Sequence, residues 1–137
     1  MMMNDLLFLD TSGLLSIHDE KDFRNQTAIE FFTKAKRLLT TNYVLAEFVP
    51  LSYVRGKNRK ETLSYINDLL QVARLELVWV DERLHAEAMR LLEERLDKSY
   101  SLCDAVSFSV MRERGFLSAL TTDKHFQQEG FVRLLES

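Results

Sequence analysis

The sequence predicts a layered α/β fold on a central parallel sheet, and three observations carry that expectation. Short apolar runs alternate with longer helical stretches along the chain. Alternation of this kind needs crossover connections, which lay successive strands side by side in parallel. Glycine and proline are sparse, 4 and 1 in 137 residues, so helix dominates between the strands.

Taken in order, Leu6 to Leu9 is a buried strand that ends in the polar cap Asp10-Thr11-Ser12. Residues 22–36 place Ala28, Phe31, Phe32 and Ala35 on one helical stripe. Arg37 to Thr41 reads as a second strand. Asn42 is expected to cap a helix reaching about Arg55, with Pro50 kinking or interrupting it. Arg55 to Lys60 is a turn, and Leu63, Ile66, Leu70 and Ala73 mark the next helix. Leu75 to Val80 is a third strand, and Asp81 caps a helix with Leu84, Ala88, Leu91 and Leu92 facing inward. Ser101 opens a helix that runs to about Arg114, where Gly115 stops it. Phe116 to Thr121 and Phe131 to Leu135 complete a sheet of four to five strands in one domain, residues 1–137.

Composition narrows the function. Hydrophobic residues make up 46% of the chain and charged residues 28%, which suits a globular protein with a real core. The net charge of -3 draws no polyanion by its global field, so nucleic-acid binding would need a local basic patch or a bound cation. Cys103 is the only cysteine, which rules out an internal disulfide. The N-terminal apolar run breaks at Asp10 without a basic flank, unlike a signal peptide. No stretch approaches the roughly 18 apolar residues of a membrane span. The expected address is the cytoplasm, away from membranes.

Four acids stand where a carboxylate needs an explanation. Asp10 follows Leu6–Leu9, Glu47 sits among Val44, Leu45, Phe48 and Val49, Asp104 follows Ser101-Leu102-Cys103, and Asp123 follows Ala119-Leu120-Thr121-Thr122. Each has a plain structural alternative. Asp10 can cap a helix. Ser101-x-x-Asp104 matches a capping box. Asp123 can form an Asx-turn. Glu47 can be a solvated residue at the margin of an apolar stripe. As a set they say more, because two carboxylates about 5 Å apart repel by roughly 3 kcal/mol at an effective dielectric of 20. Four in one pocket call for protons or a cation, and hard oxygen ligands favour Mg²⁺ or Mn²⁺. His18, His85 and His125 have no zinc-type spacing with Cys103, and no Gly-rich phosphate loop is present.

Leu9-Asp10-Thr11-Ser12, Glu47, Asp104-Ala105 and Thr121-Thr122-Asp123-Lys124-His125-Phe126, in that order, resemble the PIN-domain nucleases, most of all the small VapC-like ribonuclease toxins of toxin–antitoxin pairs. The resemblance implies a PIN-like three-layer α/β/α domain with strand order 3-2-1-4-5. It implies Mg²⁺- or Mn²⁺-dependent endoribonuclease activity on RNA, with Asp10, Glu47, Asp104 and Asp123 as catalytic and metal-binding residues. Ser12 and Thr121 match the polar residues that support the pocket. Family toxins dimerise and are inhibited by a cognate antitoxin. One departure is the bulky run Val106, Phe108, Val110 and Met111, where relatives often carry alanine.

Basic residues Arg55, Lys57, Arg59 and Lys60, with Lys124 beside Asp123, are the candidates for RNA phosphate contact. A solvated turn is the alternative for the first four. Three rival readings remain at this point. One is a non-catalytic PIN-like domain that binds RNA or protein, and another a receiver-like signalling domain with Asp81 after its third strand. The third, a haloacid-dehalogenase-type phosphatase, lacks its second acid, since that position is Ser12.

Overall fold

The computed structural model describes residues 3–137. Its elements follow the chain as β1 (Leu6–Leu9), α1 (Thr11–His18), α2 (Asn25–Lys34), β2 (Arg37–Thr41), α3 (Asn42–Val54), α4 (Arg59–Leu70), β3 (Leu75–Val78), α5 (Glu82–Glu94), α6 (Leu102–Arg114), β4 (Ser118–Leu120), α7 (Lys124–Gln128) and β5 (Val132–Arg133). The strands form one all-parallel sheet in the order β3-β2-β1-β4-β5, flanked by the helices as an α/β/α sandwich.

β1 lies at the centre because it is apolar on both faces. Leu7, Phe8 and Leu9 are fully buried, as expected of a strand covered by helices on each side. It pairs with β2 through Leu7 and Leu38, and with β4 through Leu9 and Leu120. The chain runs from β1 to β2 on one side and arrives at β4 on the other. The strand order therefore reverses between β1 and β4, and a crevice opens beyond their carboxyl ends. Gly13 lets α1 close over that point: a Cβ there would stand 2.0 Å from the Leu120 carbonyl oxygen, a separation no side chain tolerates.

α6 forms for reasons visible in the sequence. Ser101 and Asp104 make the reciprocal capping box, and Gly115 ends the helix in the left-handed region at φ 74°. The bulky residues Val106, Phe108, Val110 and Met111 are all fully enclosed, so this run is core.

Several local expectations need correction. Thr41, not Asn42, caps α3, its hydroxyl accepting from the Val44 amide. Asn42 turns outward along the sheet and accepts from the Val80 amide at 2.7 Å. α3 runs unbroken through Pro50. β3 stops at Val78, leaving Trp79 exposed, and β4 and β5 are shorter than expected. On α4 Thr62 and Leu69 are buried, whereas Leu63 and Leu70 are exposed. His85, on the charged α5, is half-buried and paired with the Tyr43 hydroxyl at 2.8 Å. Among the described residues, no helix is long and apolar enough to cross a membrane.

Candidate active site

All four predicted acids line one open cleft of about 740 Å³ at the carboxyl ends of β1 and β4. Asp10 leaves β1 and Asp123 follows β4, Glu47 projects from α3, and Asp104 lies in the first turn of α6. Residues up to 113 positions apart in sequence thus meet at the point where the sheet topology opens a crevice.

Asp10 sits at the N-cap position of α1 but makes no capping bond. Its Oδ2 accepts instead from Thr121 Oγ1 at 2.7 Å and Ser12 Oγ at 3.3 Å. Those two hydroxyls also touch each other at 3.1 Å, and they receive the amides of Asp123 and Thr122. Ser12 and Thr121 therefore tie the ends of β1 and β4 together around Asp10. Burial first, and then the charge of nearby Asp104, push the Asp10 carboxyl up to about 7 against the downward pull of the Thr121 hydroxyl.

Asp104 does serve the capping box, yet the same oxygen reaches further. Its Oδ2 accepts from the Ser101 amide at 3.0 Å and from His125 Nδ1 at 2.9 Å. Burial raises its pKa despite these bonds. Asp123 caps α7 by accepting from the His125 amide, and its Oδ1 lies 3.4 Å from His125 Nδ1. Glu47 is half-buried and accepts from Thr11 Oγ1 at 2.9 Å. Cys103 is buried close by, its thiol pushed far up by burial and then by the Glu47 and Asp10 charges, so it is inert.

His125 is the site residue that sequence reasoning passed over. Ligand atoms of Asp104, Asp123 and His125 lie within 4.8 Å of one another, a spacing a single cation can bridge. With Asp104 ionised, Nδ1 carries the proton, and Nε2 faces Ser99 Oγ at 3.2 Å. Its position two residues after Asp123 is the one mark the sequence gives, because a mixed carboxylate–imidazole group has no zinc-type spacing.

The donor set fits a hard divalent cation. Asp104 takes its hydrogen bonds on Oδ2, and among the described residues its Oδ1 accepts none. No Lys or Arg is paired with Asp10, Asp104 or Asp123 among the described residues. Carboxylates that share a cleft with no Lys or Arg paired to them among the described residues, one of them raised by burial and then by neighbouring charge, are what a metal would relieve.

The basic candidates divide. Lys124 lines the cleft. Lys57, Arg59 and Lys60 stand at the α3–α4 turn, with Arg59 and Lys60 exposed. Arg55 is engaged elsewhere, bonded to Asp19 at 3.2 Å and Asp22 at 2.9 Å. Asp81 caps α5 through the Leu84 amide and is outside the cleft, so the receiver-like reading has no acid where it needs one.

The sequence model of the PIN domain matches residues 7–131. The chain belongs to the PIN-domain family. Among curated proteins, this PIN domain is 32% identical over 130 residues to the 23S rRNA-specific endonuclease VapC20 of Mycobacterium tuberculosis, in strains CDC 1551 / Oshkosh and ATCC 25618 / H37Rv. The match covers 94% of this chain and 98% of VapC20. The crystal structure of M. tuberculosis VapC20, a Sarcin-Ricin loop cleaving toxin, superposes with a TM-score of 0.84 at 29% identity, covering 96% of this chain and 99% of that one. VapBC2 from Rickettsia felis, bound to a DNA fragment from its promoter, shares the fold with a TM-score of 0.64 at 16% identity, over 96% of this chain and 98% of the other. FitAcB from Neisseria gonorrhoeae shares it with a TM-score of 0.62 at 14% identity, over 93% and 94%.

Proposed function

We propose that this protein is a divalent-metal-dependent endoribonuclease, acting in the cytoplasm as the toxin of a toxin–antitoxin pair through a single PIN domain over residues 1–137. The observation that carries this reading is the convergence of Asp10, Glu47, Asp104 and Asp123 on one cleft. Full-length similarity to a 23S rRNA-specific endonuclease supports 23S ribosomal RNA, and its sarcin–ricin loop, as the substrate.

Asp10, Asp104 and Asp123, with Glu47, would hold Mg²⁺ or Mn²⁺. The cation supplies Lewis acidity at the scissile phosphodiester and compensates the charge that develops there. The chain's own residues set the geometry. Thr121 and Ser12 fix Asp10, the Ser101 amide and His125 fix Asp104, and Thr11 holds Glu47 by Oε1. Glu47 orients the attacking water with its other oxygen. Lys124 at the rim takes a substrate phosphate, and Lys57, Arg59 and Lys60 extend the electrostatic track. Arg55 braces the turn that presents them.

Cleavage of 23S rRNA with and without Mg²⁺ or Mn²⁺ tests the reading. Activity should need the cation, and folded Asp10→Asn should lose about 10²–10³-fold or more, the scale of removing one transition-state stabilising group. Cleavage by wild type in excess chelator, or full activity of Asp10→Asn, would refute it.

Leu51, Tyr53 and Val54 on α3, with Leu63 and Leu70 on α4, expose apolar surface that a cognate antitoxin or a second copy would cover. A homodimer is part of the proposal; a monomer by light scattering at high concentration would remove it.

A further inference from the structure

Behind the cleft wall lies a second carboxylate centre. Glu129, just after α7, is almost wholly enclosed by three donors. Arg95 bonds it through Nε and Nη2 at 3.1 and 3.2 Å, Arg112 through Nη2 at 2.7 Å, and the Tyr100 hydroxyl at 3.1 Å. These donors come from the end of α5, from α6 and from the segment between them. One side chain therefore ties the α7–β5 corner to two helices.

Tyr100 connects this centre to the cleft. Its hydroxyl is held by Glu129, and its ring meets His125 edge-on, centroids 5.2 Å apart at 62°. Phe108 supports the same ring from within the core, at 5.1 Å and 74°. His125 rides on a helix of five residues, too short to fix its ring unaided. Four contacts define the imidazole: Asp104 and Asp123 at Nδ1, Ser99 at Nε2, and the Tyr100 ring. Glu129 is buried while Arg95 and Arg112 reach it from the surface, an arrangement that fixes groups in place more than it adds net stability. A phenylalanine would fill the space of Tyr100 equally well, so its hydroxyl serves position.

We propose that Tyr100 is a positioning residue for the acidic cleft: anchored by Glu129, its ring sets the orientation of His125, which holds Asp104 and Asp123 at a common spacing. The inference rests on the metal-binding reading of the cleft. Loss of the Tyr100 ring frees the imidazole to turn, and the two carboxylates lose their shared bridge.

Mn²⁺ titration followed by electron paramagnetic resonance, without RNA, tests it on wild type, Tyr100→Leu, Tyr100→Phe and Arg74→Met. Arg74 donates to the Phe32 and Ala35 carbonyls, away from the cleft, so its variant controls for general destabilisation. Wild type and Arg74→Met should bind alike. Tyr100→Leu should weaken binding about 10-fold or more, the usual effect of losing a residue that orients a ligand. Tyr100→Phe keeps the ring and loses only its anchor, so it should weaken binding less, about 3-fold, the scale of one lost hydrogen bond, and saturating Mn²⁺ should restore kcat of both. Wild-type affinity in Tyr100→Leu, or a loss no larger than that of Arg74→Met, overturns the proposal. If Tyr100→Leu does not fold, unchanged affinity in Tyr100→Phe overturns it. Wild type that binds no Mn²⁺ removes the metal reading of the cleft and the role of Tyr100 together; binding wild type with indifferent Tyr100 variants removes the second alone.

Discussion

Glu129 and Asp10 are both buried carboxylates, and the fold treats them in opposite ways. Burial alone would raise the pKa of Glu129, but bonds from Arg95, Arg112 and Tyr100 outweigh it and hold the group below the usual carboxylate range. Asp10 receives uncharged donors, the Thr121 and Ser12 hydroxyls and the Thr11 amide, and burial with the Asp104 charge lifts it to about 7. One acid is neutralised by the protein itself. The other has no cationic partner among the described residues. The difference separates a carboxylate satisfied within the fold from one whose perturbed ionisation suits the proposed metal site.

Asp10→Asn sharpens that contrast most. The folded protein keeps the Asp10 proton up to about pH 7, whereas the unfolded chain releases it near 3.8, so stability falls as pH rises between those values. Metal-free Asp10→Asn should be more stable than wild type by about 2–4 kcal/mol at pH 8 and no more stable at pH 3, read from urea midpoints. Equal stability at both pH values would break the comparison. Glu129→Leu should act the other way, losing about 1–3 kcal/mol at pH 7 because charged donors lose their acceptor. The Glu129 contribution is present above its unfolded value of 4.5 and fades as pH falls through the lower folded value, so the loss should shrink in acid. The smallest effect belongs to the surface: charge reversal at Lys57 and Arg59 should flatten the salt dependence of RNA binding by about one unit of log–log slope. An unchanged slope would exclude that turn from the RNA track.

Much of this was legible in the sequence. β1, α6 and the four acids announce themselves, because an apolar run that ends in an acid, or a Ser-x-x-Asp before a helix, has few physical explanations. Glu129 carries no such mark: it sits in a polar stretch, and its partners lie 17 to 34 residues away. α7 was missed because five residues are too few to show a period. Arg55 looked like part of a basic run, and only folding reveals that Asp19 and Asp22 claim it.

The pairing of β1 with β4 has a consequence for biosynthesis. Asp10 is made early, whereas Thr121 and Asp123 are made more than a hundred residues later. A ribosome translating this message therefore carries an incomplete cleft, and the four acids converge only after Asp123 has left the exit tunnel.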